Sequence, residues 1–310
     1  MTPRVGEFVH LGVGFGQTGR VVMSMILCAG LGTRLRPLTD ELPKPLVPVG
    51  DRPLLAHILE RLASVGVERA VMNLHHKPEE ILSSLESLPF KPQVITEVEI
   101  LGTAGGVAAA RPLLGPAPIL LHNGDILTTP PVSALLAADR GGLCLAVSPR
   151  PLGQGSVGLD TSGSVVRLRG RSFGPEVRGA DYVGIALLGE RCLASLPSRG
   201  CLIQDWAIPE LEAGRPIETV STTAPWSDLG QLEDYWRANL AWLGDRKQAI
   251  GAGATVLESV DLDRSVIGAG ARVTGVGVLE QCIVWPSAQV EAPLRRAVVT
   301  RAGRIVPLVG

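Results

Sequence analysis

The chain has 310 residues, of which 45% are hydrophobic and 19% are charged, and its net charge is −1. This length and composition favour a globular protein with one large core and a smaller one, and the balanced charge excludes an extended basic face for nucleic acid. The five cysteines have no C-x-x-C spacing, which predicts reduced thiols rather than a zinc site. No run approaches the roughly 20 apolar residues of a membrane span, so we expect a cytoplasmic protein.

Residues 1–22 precede the first predicted strand and contain the glycine-rich segment LGVGFGQTGR. No apolar strand comes before this segment and no helical periodicity follows it, so its G-x-G pattern lacks the setting of a nucleotide-binding turn. We expect a disordered extension over 1–22, a first domain over 23–246 and a second domain over 247–310.

Short apolar runs alternate with helix-like stretches from Met25 onward. The predicted strands lie near 25–29, 69–74, 93–97, 118–122 and 143–148, and the predicted helices near 53–65, 78–87, 103–111 and 132–138. This alternation is typical of an α/β fold with a Rossmann-like, doubly wound and mostly parallel sheet. Ligands bind beyond the carboxyl ends of the strands in such sheets, which predicts that the loops following these strands form one site.

The first predicted strand runs into a loop with the sequence CAGLGTRLRPLT, and PKPL follows shortly afterwards. Glycines that accept positive φ, backbone N–H groups and one hydroxyl can surround phosphate oxygens here, in the segment formed by Ala29, Gly30, Gly32 and Thr33. Arg34 and Arg36 add positive charge, and Lys44 adds more from a segment stiffened by two prolines. We therefore predict that residues 29–36, which we call the phosphate loop, bind a triphosphate.

The combination of G-x-G-T-R-L-x-P-L-T with P-K-P-L resembles the sugar-1-phosphate nucleotidyltransferases, and the order of motifs extends the resemblance over about residues 24–245. It implies a nucleotide-diphospho-sugar transferase fold and a reaction that joins an NTP to a sugar 1-phosphate, with pyrophosphate released. It also implies that Arg34 and Lys44 are catalytic. A phosphate monoester is largely dianionic at neutral pH, so the enzyme must neutralise charge and fix geometry rather than supply a base.

The segment LGTAGG at 101–106 matches the nucleoside-contacting loop of that family, through Gly102, Thr103 and Gly105. Glu97 occupies the position from which family members reach the edge of the base. Its carboxylate can accept hydrogen bonds from both N1–H and the exocyclic amine of guanine, or one from N3–H of uracil or thymine. Glu97 alone therefore does not identify the base. The alternative interpretation of Glu97 is a solvated residue at a strand end.

Two aspartates are candidate metal ligands. Asp125 follows an apolar strand in the sequence NGD, and Asp228, in WSDLG, resembles the second metal-binding aspartate of the family. Two carboxylates together with phosphate oxygens suit octahedral Mg²⁺. The alternatives are a turn-forming role for Asp125 and an N-cap role for Asp228, at a helix that begins near Gly230.

The segments expected to bind the sugar phosphate depart from the family pattern. Many relatives have Glu-Lys-Pro followed by Asn-Ala-Gly, where this chain has GRS at 170–172 and YVG at 182–184. The lysine that usually binds the sugar phosphate is therefore absent. We expect Arg171 and Gly184 to form this side of the site, with Arg167 or Arg169 as alternatives for the charge.

After Arg246 the pattern changes to hexapeptide-type repeats. IGAGAT, IGAGAR and VWPSAQ begin at residues 250, 267 and 284, a spacing of 17, and a valine follows six residues after each start. The pattern resembles a short left-handed parallel β-helix, in which an aliphatic residue at every sixth position points into the core. We expect this module to serve packing and homo-oligomerisation. The alternative, an acyltransferase domain, usually requires a histidine base, and every histidine lies before the repeats.

The overall pattern resembles the mannose-1-phosphate guanylyltransferases most closely, so we expect GTP and mannose 1-phosphate as substrates and Mg²⁺ as cofactor. The altered sugar loop is similar to that of uridylyltransferases of amino-sugar recycling, which leaves a uridylyl- or thymidylyltransferase for another sugar phosphate as an alternative. A non-catalytic, nucleotide-sugar-binding regulatory subunit is the second alternative. The charged residues of the phosphate loop and the two aspartates favour an enzyme over a regulatory subunit.

Overall fold

The computed structural model describes residues 22–85, 88 and 90–308. The predicted N-terminal extension, apart from Val22, lies outside these described residues. Val22 itself is buried next to the first strand.

Strands and helices alternate through the larger part of the chain. The strands before the repeats are β1 (Met23–Leu27), β2 (Pro48–Val49), β3 (Arg52–Pro53), β4 (Arg69–Leu74), β5 (Gln93–Thr96), β6 (Ile119–Asn123), β7 (Ile126–Leu127), β8 (Leu143–Arg150), β9 (Val157–Leu159), β10 (Val165–Leu168), β11 (Arg171–Ser172), β12 (Arg178–Leu188), β13 (Glu218–Ser221) and β14 (Ser227–Asp228). The helices are α1 (Leu38–Glu41), α2 (Leu54–Ser64), α3 (Pro78–Ser84), α4 (Gly102–Leu114), α5 (Val132–Ala137), α6 (Glu190–Ala194), α7 (Ile208–Glu212) and α8 (Leu232–Leu243). These bounds confirm the predicted strands and helices to within about three residues at each end. Within the described ranges, no helix has the length and hydrophobicity to cross a bilayer.

Ten strands form one sheet, in the order β11-β10-β9-β12-β6-β1-β4-β5, with β8 paired to β12 and β13 paired to β8. The run from β6 to β5 is parallel, whereas β12 joins β6 antiparallel. The prediction of a mostly parallel sheet is therefore right for this half and wrong for the half that contains β9 to β12. In that half β9, β10 and β11 follow one another through hairpin-like turns, whereas a parallel neighbour would require a crossover connection. β12 then pairs antiparallel with β9.

Helices cover both faces of the sheet, as expected for a doubly wound fold. Along β1, Met23 and Met25 point into one apolar cluster, together with α4, α6 and α7, while Ile26 points into the other, together with α2, α5 and α8. The alternation follows from the two-residue period of a strand. Both faces of the central strands are thus buried, and their free carboxyl ends are left for a site.

The repeats form coils of parallel strands, which we call the repeat module (residues 248–308). Its strands are β15 (Gln248–Ile250), β16 (Thr255–Val256), β17 (Val260–Asp263), β18 (Ser265–Ile267), β19 (Arg272–Glu280), β20 (Ile283–Val284), β21 (Gln289–Arg295), β22 (Ala297–Val299) and β23 (Ile305–Pro307). Consecutive coils are parallel, and β23 folds back antiparallel onto β22 at the last coil.

The register of the coils matches the sequence spacing at most positions. Val256 pairs with Val273, and Val273 pairs with Val290, each 17 residues further on. Two of the three repeat-starting aliphatic residues, at 267 and 284, are buried, but Ile250 is 48% exposed. The prediction of an inward-facing aliphatic residue is wrong for Ile250, because no earlier coil covers this end of the module.

The repeat module packs against α8, and the two share one continuous apolar cluster. Trp285 is fully buried, and its indole N–H donates to the Tyr235 hydroxyl at 2.9 Å. That hydroxyl donates in turn to the carbonyl of Pro48 at 2.6 Å, and the indole of Trp236 donates to the carbonyl of Gln281 at 2.8 Å. The module is therefore built into the core next to the segment that follows Lys44.

Candidate active site

A cleft of about 230 Å³ opens where the parallel strands β6, β1, β4 and β5 end. The predicted site residues that line it are Ala29, Gly30, Lys44, Glu97, Gly102, Thr103 and Asp125. Those that do not line it are Gly32, Thr33, Arg34, Gly105, Arg171, Gly184 and Asp228. The strand ends thus bring most of the predicted nucleotide-side residues together, as the parallel arrangement requires.

The phosphate loop begins directly after β1. Gly30 is exposed, and a Cβ at that position would have no atom within 4 Å, so its backbone is open to a ligand. Gly32 adopts a φ of 64°, and a Cβ there would lie 2.8 Å from the methyl carbon of Thr39. Thr33 and Arg34 then form a short 3-10 turn and are exposed. Glycine is required at Gly32 both by its φ and by the close approach of Thr39.

Lys44 and Asp125 form an ion pair inside the cleft, with 2.9 Å between Nζ and Oδ2. Lys44 lies in a 3-10 turn whose flanking prolines fix the direction of the backbone, and its side chain is only 11% exposed. Asp125 follows β6, so the pair joins two segments 81 residues apart. This arrangement places a cation and an anion at the point where charged phosphates would enter.

Asp228 lies beside Asp125 because β14 pairs with β7, which starts immediately after Asp125. The backbone N–H of Leu229 donates to the carbonyl of Asp125 at 3.0 Å. Burial, and next the negative charge of Asp125, raise the pKa of the Asp228 carboxyl, while Lys44 and Arg34 oppose the shift. The N-cap alternative for Asp228 is wrong, because α8 begins at Leu232 after Gln231.

The Asp228 carboxylate has an oxygen, Oδ1, that is buried and has no hydrogen-bond partner. The Arg34 guanidinium lies close to this oxygen, since a Cβ on Gly230 would lie 3.0 Å from Oδ1 of Asp228 and 3.3 Å from both terminal nitrogens of Arg34. A buried carboxylate oxygen without a donor can accept a cation. The described residues hold no group of three or more His, Cys, Asp or Glu side chains that could enclose a metal, so a cation here would need oxygens from a bound phosphate as well.

Glu97 is 5% exposed, so the alternative of a solvated strand-end glutamate is wrong. Its Oε1 accepts from the side-chain amide of Asn73 at 2.7 Å, and its Oε2 accepts from the backbone N–H of Leu101 at 3.0 Å. Each carboxylate oxygen can accept a second bond, so acceptor capacity remains on the cleft side. The backbone carbonyl of Glu97 also lies 2.9 Å from Nδ1 of His75, which is consistent with a role for that histidine at the edge of the site.

Asn73 lines the cleft, and the sequence does not predict the bonds that it makes there. Its Oδ1 accepts from the backbone N–H of Cys28 at 2.9 Å while its amide donates to Glu97, so it ties the phosphate loop to the base side of the cleft. A Cβ on Gly106 would lie 2.6 Å from the Asn73 amide nitrogen. The signal in the sequence is a single asparagine at the end of the apolar strand RAVMNL.

The glycines of the LGTAGG segment pack against the chain at 198–202. A Cβ on Gly102 would lie 2.4 Å from the carbonyl oxygen of Gly200, and a Cβ on Gly105 would lie 2.7 Å from that of Ser198. The Thr103 hydroxyl accepts from the backbone N–H of Leu202 at 2.7 Å. The close approach that these glycines permit is therefore, in this structure, an approach to protein backbone, and only Gly102 and Thr103 also reach the cleft.

The structure does not bring Arg171 to the cleft. Its guanidinium pairs with Glu212 and lies 5.7 Å from the centroid of the Phe173 ring, on the edge strand β11. Arg167 is also engaged, by the carboxylate of Glu176 at 2.6 Å and by two backbone carbonyls at 3.0 Å. Both guanidinium groups thus have partners elsewhere.

Arg169 occupies the turn between β10 and β11, where it adopts a φ of 48°. Its Nη2 lies 3.7 Å from Sγ of Cys201. Cys201 follows Gly200, whose carbonyl accepts the N–H of Ala104 at 2.9 Å. Of the three candidate arginines, Arg169 is therefore the one whose side chain contacts a segment that packs against α4.

Gly184, in β12, contributes to the site through packing. Its φ is 73°, and a Cβ there would lie 2.5 Å from a side-chain carbon of Ile126 and 3.1 Å from the amide nitrogen of Asn123. Asn123 lines the cleft. A larger residue at 184 would therefore displace Asn123 and the segment that carries Asp125.

Comparisons with known proteins agree with this geometry. The sequence profile of the family described as Nucleotidyl transferase matches residues 23–142. Mannose-1-phosphate guanylyltransferase 1 of Arabidopsis thaliana is 30% identical over 300 residues, covering 91% of this chain and 82% of the relative. A probable mannose-1-phosphate guanylyltransferase 1 of Oryza sativa is 32% identical over 303 residues, with the same coverage of both chains. A mannose-1-phosphate guanylyltransferase of Mycobacterium tuberculosis is 27% identical over 294 residues, covering 87% of this chain and 82% of the relative.

A solved structure shares the fold. The crystal structure of HddC from Yersinia pseudotuberculosis superimposes with a TM-score of 0.61 at 24% identity, covering 72% of this chain and 100% of that one. The extensive identity with the curated relatives, together with the profile match over the phosphate loop and Asp125, identifies the family. The chain belongs to the nucleotidyl transferase family and is a sugar-1-phosphate nucleotidyltransferase.

Proposed function

We propose that the chain transfers the guanylyl group of GTP to mannose 1-phosphate, giving GDP-mannose and pyrophosphate. The observation that supports this most is one cleft that holds the Lys44–Asp125 pair and the buried Glu97 carboxylate. Asp125 follows β6 and Glu97 follows β5, and these strands are three strand spacings apart, or about 14 Å. That span suits a nucleotide whose base is at Glu97 and whose phosphates are at Lys44. The names of the similar proteins favour guanine and mannose.

We propose Mg²⁺ as the cofactor, held by Asp125 and Asp228. The unpartnered buried oxygen of Asp228 and the acceptor-only chemistry of two adjacent carboxylates fit such an ion. When bound, the ion would supply positive charge to the phosphates. Titration with Mn²⁺ followed by electron paramagnetic resonance tests the site without turnover. Equal Mn²⁺ binding by the wild type and by an Asp228→Ala variant would remove Asp228 from the site.

The proposed roles of the remaining nucleotide-side residues follow from charge and exposure. Backbone N–H groups of the segment Ala29 to Thr33 contact the triphosphate, and Arg34 and Lys44 balance charge as the sugar phosphate attacks the α-phosphorus. The nucleophile is already anionic, so we assign no general base. Asp125 orients Lys44 through their ion pair, since an unpaired ammonium on a flexible stem would lose that geometry.

Replacing Glu97 by glutamine should raise the KM for GTP at least tenfold and raise the KM for UTP less. Guanine offers two adjacent donors, which need two acceptors, whereas an amide offers one acceptor and one donor. Glu99→Gln is the matched control, because Glu99 is exposed, lies two residues away and pairs with Arg199 at 2.9 Å. Steady-state kinetics with each NTP measure the effect, and an unchanged preference for GTP over UTP in Glu97→Gln would argue against base recognition by Glu97.

For the sugar phosphate we propose Arg169 in place of Arg171. Arg169 and Gly170 both have positive φ, 48° and 75°, in a two-residue turn between paired Leu168 and Arg171. Such turns favour asparagine or glycine, so arginine at this position is conformationally costly. Its side chain contacts Cys201, in a segment that packs against α4, whereas Arg171 is bound to Glu212.

Arg169→Asn should therefore raise the KM for the sugar 1-phosphate about tenfold or more while keeping or increasing thermal stability, because asparagine suits the turn. Arg171→Gln is the control and should leave that KM unchanged. Kinetics at saturating NTP, together with melting curves, measure both effects. A KM that rises in Arg171→Gln and not in Arg169→Asn would restore Arg171 as the binding residue.

We propose domain boundaries at 23–246 and 247–310, and a left-handed β-helix for the repeat module. The parallel coils and the 17-residue spacing support the β-helix. The uncovered first coil, where Ile250 and Leu257 are about half exposed, supports packing against a second copy of the chain. A crystal structure tests the handedness, and light scattering that gives one chain per particle would contradict the homo-oligomer. We place the protein in the cytoplasm, a proposal that cell fractionation tests.

The rival proposal is a regulatory subunit that binds a nucleotide sugar without turnover. A pyrophosphate-release assay across the common NTPs and hexose 1-phosphates distinguishes the two. We expect release with GTP and mannose 1-phosphate above every other pair. Release that is greatest with UTP or dTTP and another sugar phosphate would favour the alternative substrates, and silence with every pair would favour the regulatory subunit.

A further inference from the structure

The last coil of the repeat module contacts the helix that follows the phosphate loop. Thr300 is fully buried, and its hydroxyl donates to Oε1 of Glu41, while the backbone N–H of Ala302 donates to Oε2 of Glu41 at 3.0 Å. The backbone N–H of Arg304 donates to the Thr300 hydroxyl oxygen at 3.2 Å, which directs the hydroxyl proton toward Glu41. Both carboxylate oxygens of Glu41 are thus held by a turn about 260 residues further along the chain.

Glu41 is the last residue of α1, a helix of four residues. A single turn of helix is unstable alone, because nucleation fixes many dihedrals for few hydrogen bonds. Its position must therefore come from tertiary contacts. The ammonium of Lys77 donates to the carbonyls of Asp40 and Glu41 at 2.9 Å, and the Glu41 side chain is fixed by the repeat module.

Helix α1 also contacts the phosphate loop. The buried hydroxyl of Thr39, in α1, donates to the carbonyl of Gly32 at 2.9 Å. The Thr39 methyl carbon also lies 2.8 Å from the place where a Cβ on Gly32 would be. A displacement of α1 would therefore move the backbone N–H groups of the loop. The backbone of α1 thus connects the hydrogen bonds between Thr300 and Glu41 to the hydrogen bond between Thr39 and Gly32.

We propose that Glu41 is a positioning residue through which the repeat module holds the phosphate loop in its nucleotide-binding conformation. The module then contributes to NTP affinity although it has no residue in the cleft. This inference rests on the proposed function for the identity of the ligand. A purely structural role for Glu41 would affect the binding of both substrates, whereas the proposed role affects the binding of the NTP and not that of the sugar 1-phosphate.

The test uses Glu41→Ala, Glu41→Gln and Thr300→Val in the full chain. Calorimetric titration with GTP and Mg²⁺ gives the Kd, and kinetics give KM and kcat. We expect the Kd and KM for GTP to rise at least tenfold in Glu41→Ala and Thr300→Val, with little change in kcat or in the KM for mannose 1-phosphate. Glu41→Gln, which keeps one acceptor, should fall between. The Glu41→Ala, Thr300→Val double variant should be no worse than Glu41→Ala, because that single change already removes the contact between Thr300 and Glu41.

Glu280→Gln is the matched control, since it breaks an ion pair with Arg295, 2.6 Å long, on the same module away from α1. Its GTP affinity should stay unchanged. An unchanged Kd for GTP in folded Thr300→Val or Glu41→Gln would overturn the inference, as would an equal rise for GTP and mannose 1-phosphate. If the wild type binds GTP but transfers nothing, the proposed function fails while the Kd values still decide the inference. If the wild type binds no nucleotide, both fail.

Discussion

Replacing Asp125 by alanine should lower kcat at least a hundredfold and leave the protein folded. The substitution removes one of two adjacent carboxylates from the cleft and leaves the ammonium of Lys44, only 11% exposed, without its partner. Both effects act on charge balance at the phosphates, which is where this reaction class gains most of its rate. Single-turnover kinetics at limiting Mg²⁺ measure the effect, and circular dichroism checks the fold.

Two further variants separate catalysis from structure. Asp228→Asn should also lose turnover, but it should stabilise the fold or leave it unchanged, because a buried carboxylate oxygen without a donor is unfavourable in the folded state. Asp181→Asn, which breaks a surface pair with Arg150 of 2.6 Å, should leave turnover unchanged. Turnover above a tenth of the wild-type value in Asp125→Ala or Asp228→Asn would overturn the assignment of these two residues.

Replacing Trp285 by alanine should lower the free energy of unfolding by about 3–5 kcal/mol, the usual cost of truncating a large buried aromatic side chain. Trp285 is fully buried and hydrogen-bonded to Tyr235, so the substitution leaves a cavity and removes a donor. The repeat module shares one apolar cluster with α8 and β1, so we expect a single unfolding transition in both proteins.

Trp285→Phe is the matched control, because it keeps most of the volume and removes the indole N–H. It should cost about 1–2 kcal/mol, from one lost hydrogen bond and a small cavity. Calorimetry measures both variants. Two separate transitions in the wild type, with only one of them shifted in Trp285→Ala, would show that the repeat module unfolds independently and would contradict the shared core.

The sequence predicts those parts of the fold and site that depend on local pattern. Alternating apolar runs and helical stretches locate β1, β4, β5 and β6 and therefore the edge at which the cleft opens. The phosphate loop and Asp125 could be recognised because glycine, arginine and aspartate stand directly after those strands. The coils could be recognised because their spacing repeats.

The features that the sequence did not predict depend on partners distant in the chain. Arg171 is held at the sheet edge by an ion pair with Glu212, 41 residues later, and no local pattern predicts this pair. β12 pairs antiparallel with β6, β8 and β9, none of which directly precedes it in the chain. Ile250 matches its repeat, yet it is exposed because burial depends on a neighbouring coil that is absent. The hydrogen bonds of Asn73 form only when β4 meets Cys28 and Glu97.

Nucleotidyl transfer is tested most directly by following the α- and γ-phosphorus of GTP in the presence of mannose 1-phosphate and the protein. With GTP radiolabelled at the α-phosphorus, we expect the label to appear in a nucleotide sugar. With GTP labelled at the γ-phosphorus, we expect the label to appear in pyrophosphate, at an equal rate. Label from the γ-phosphorus in a sugar phosphate, or in inorganic phosphate without prior pyrophosphate, would contradict nucleotidyl transfer in this cleft.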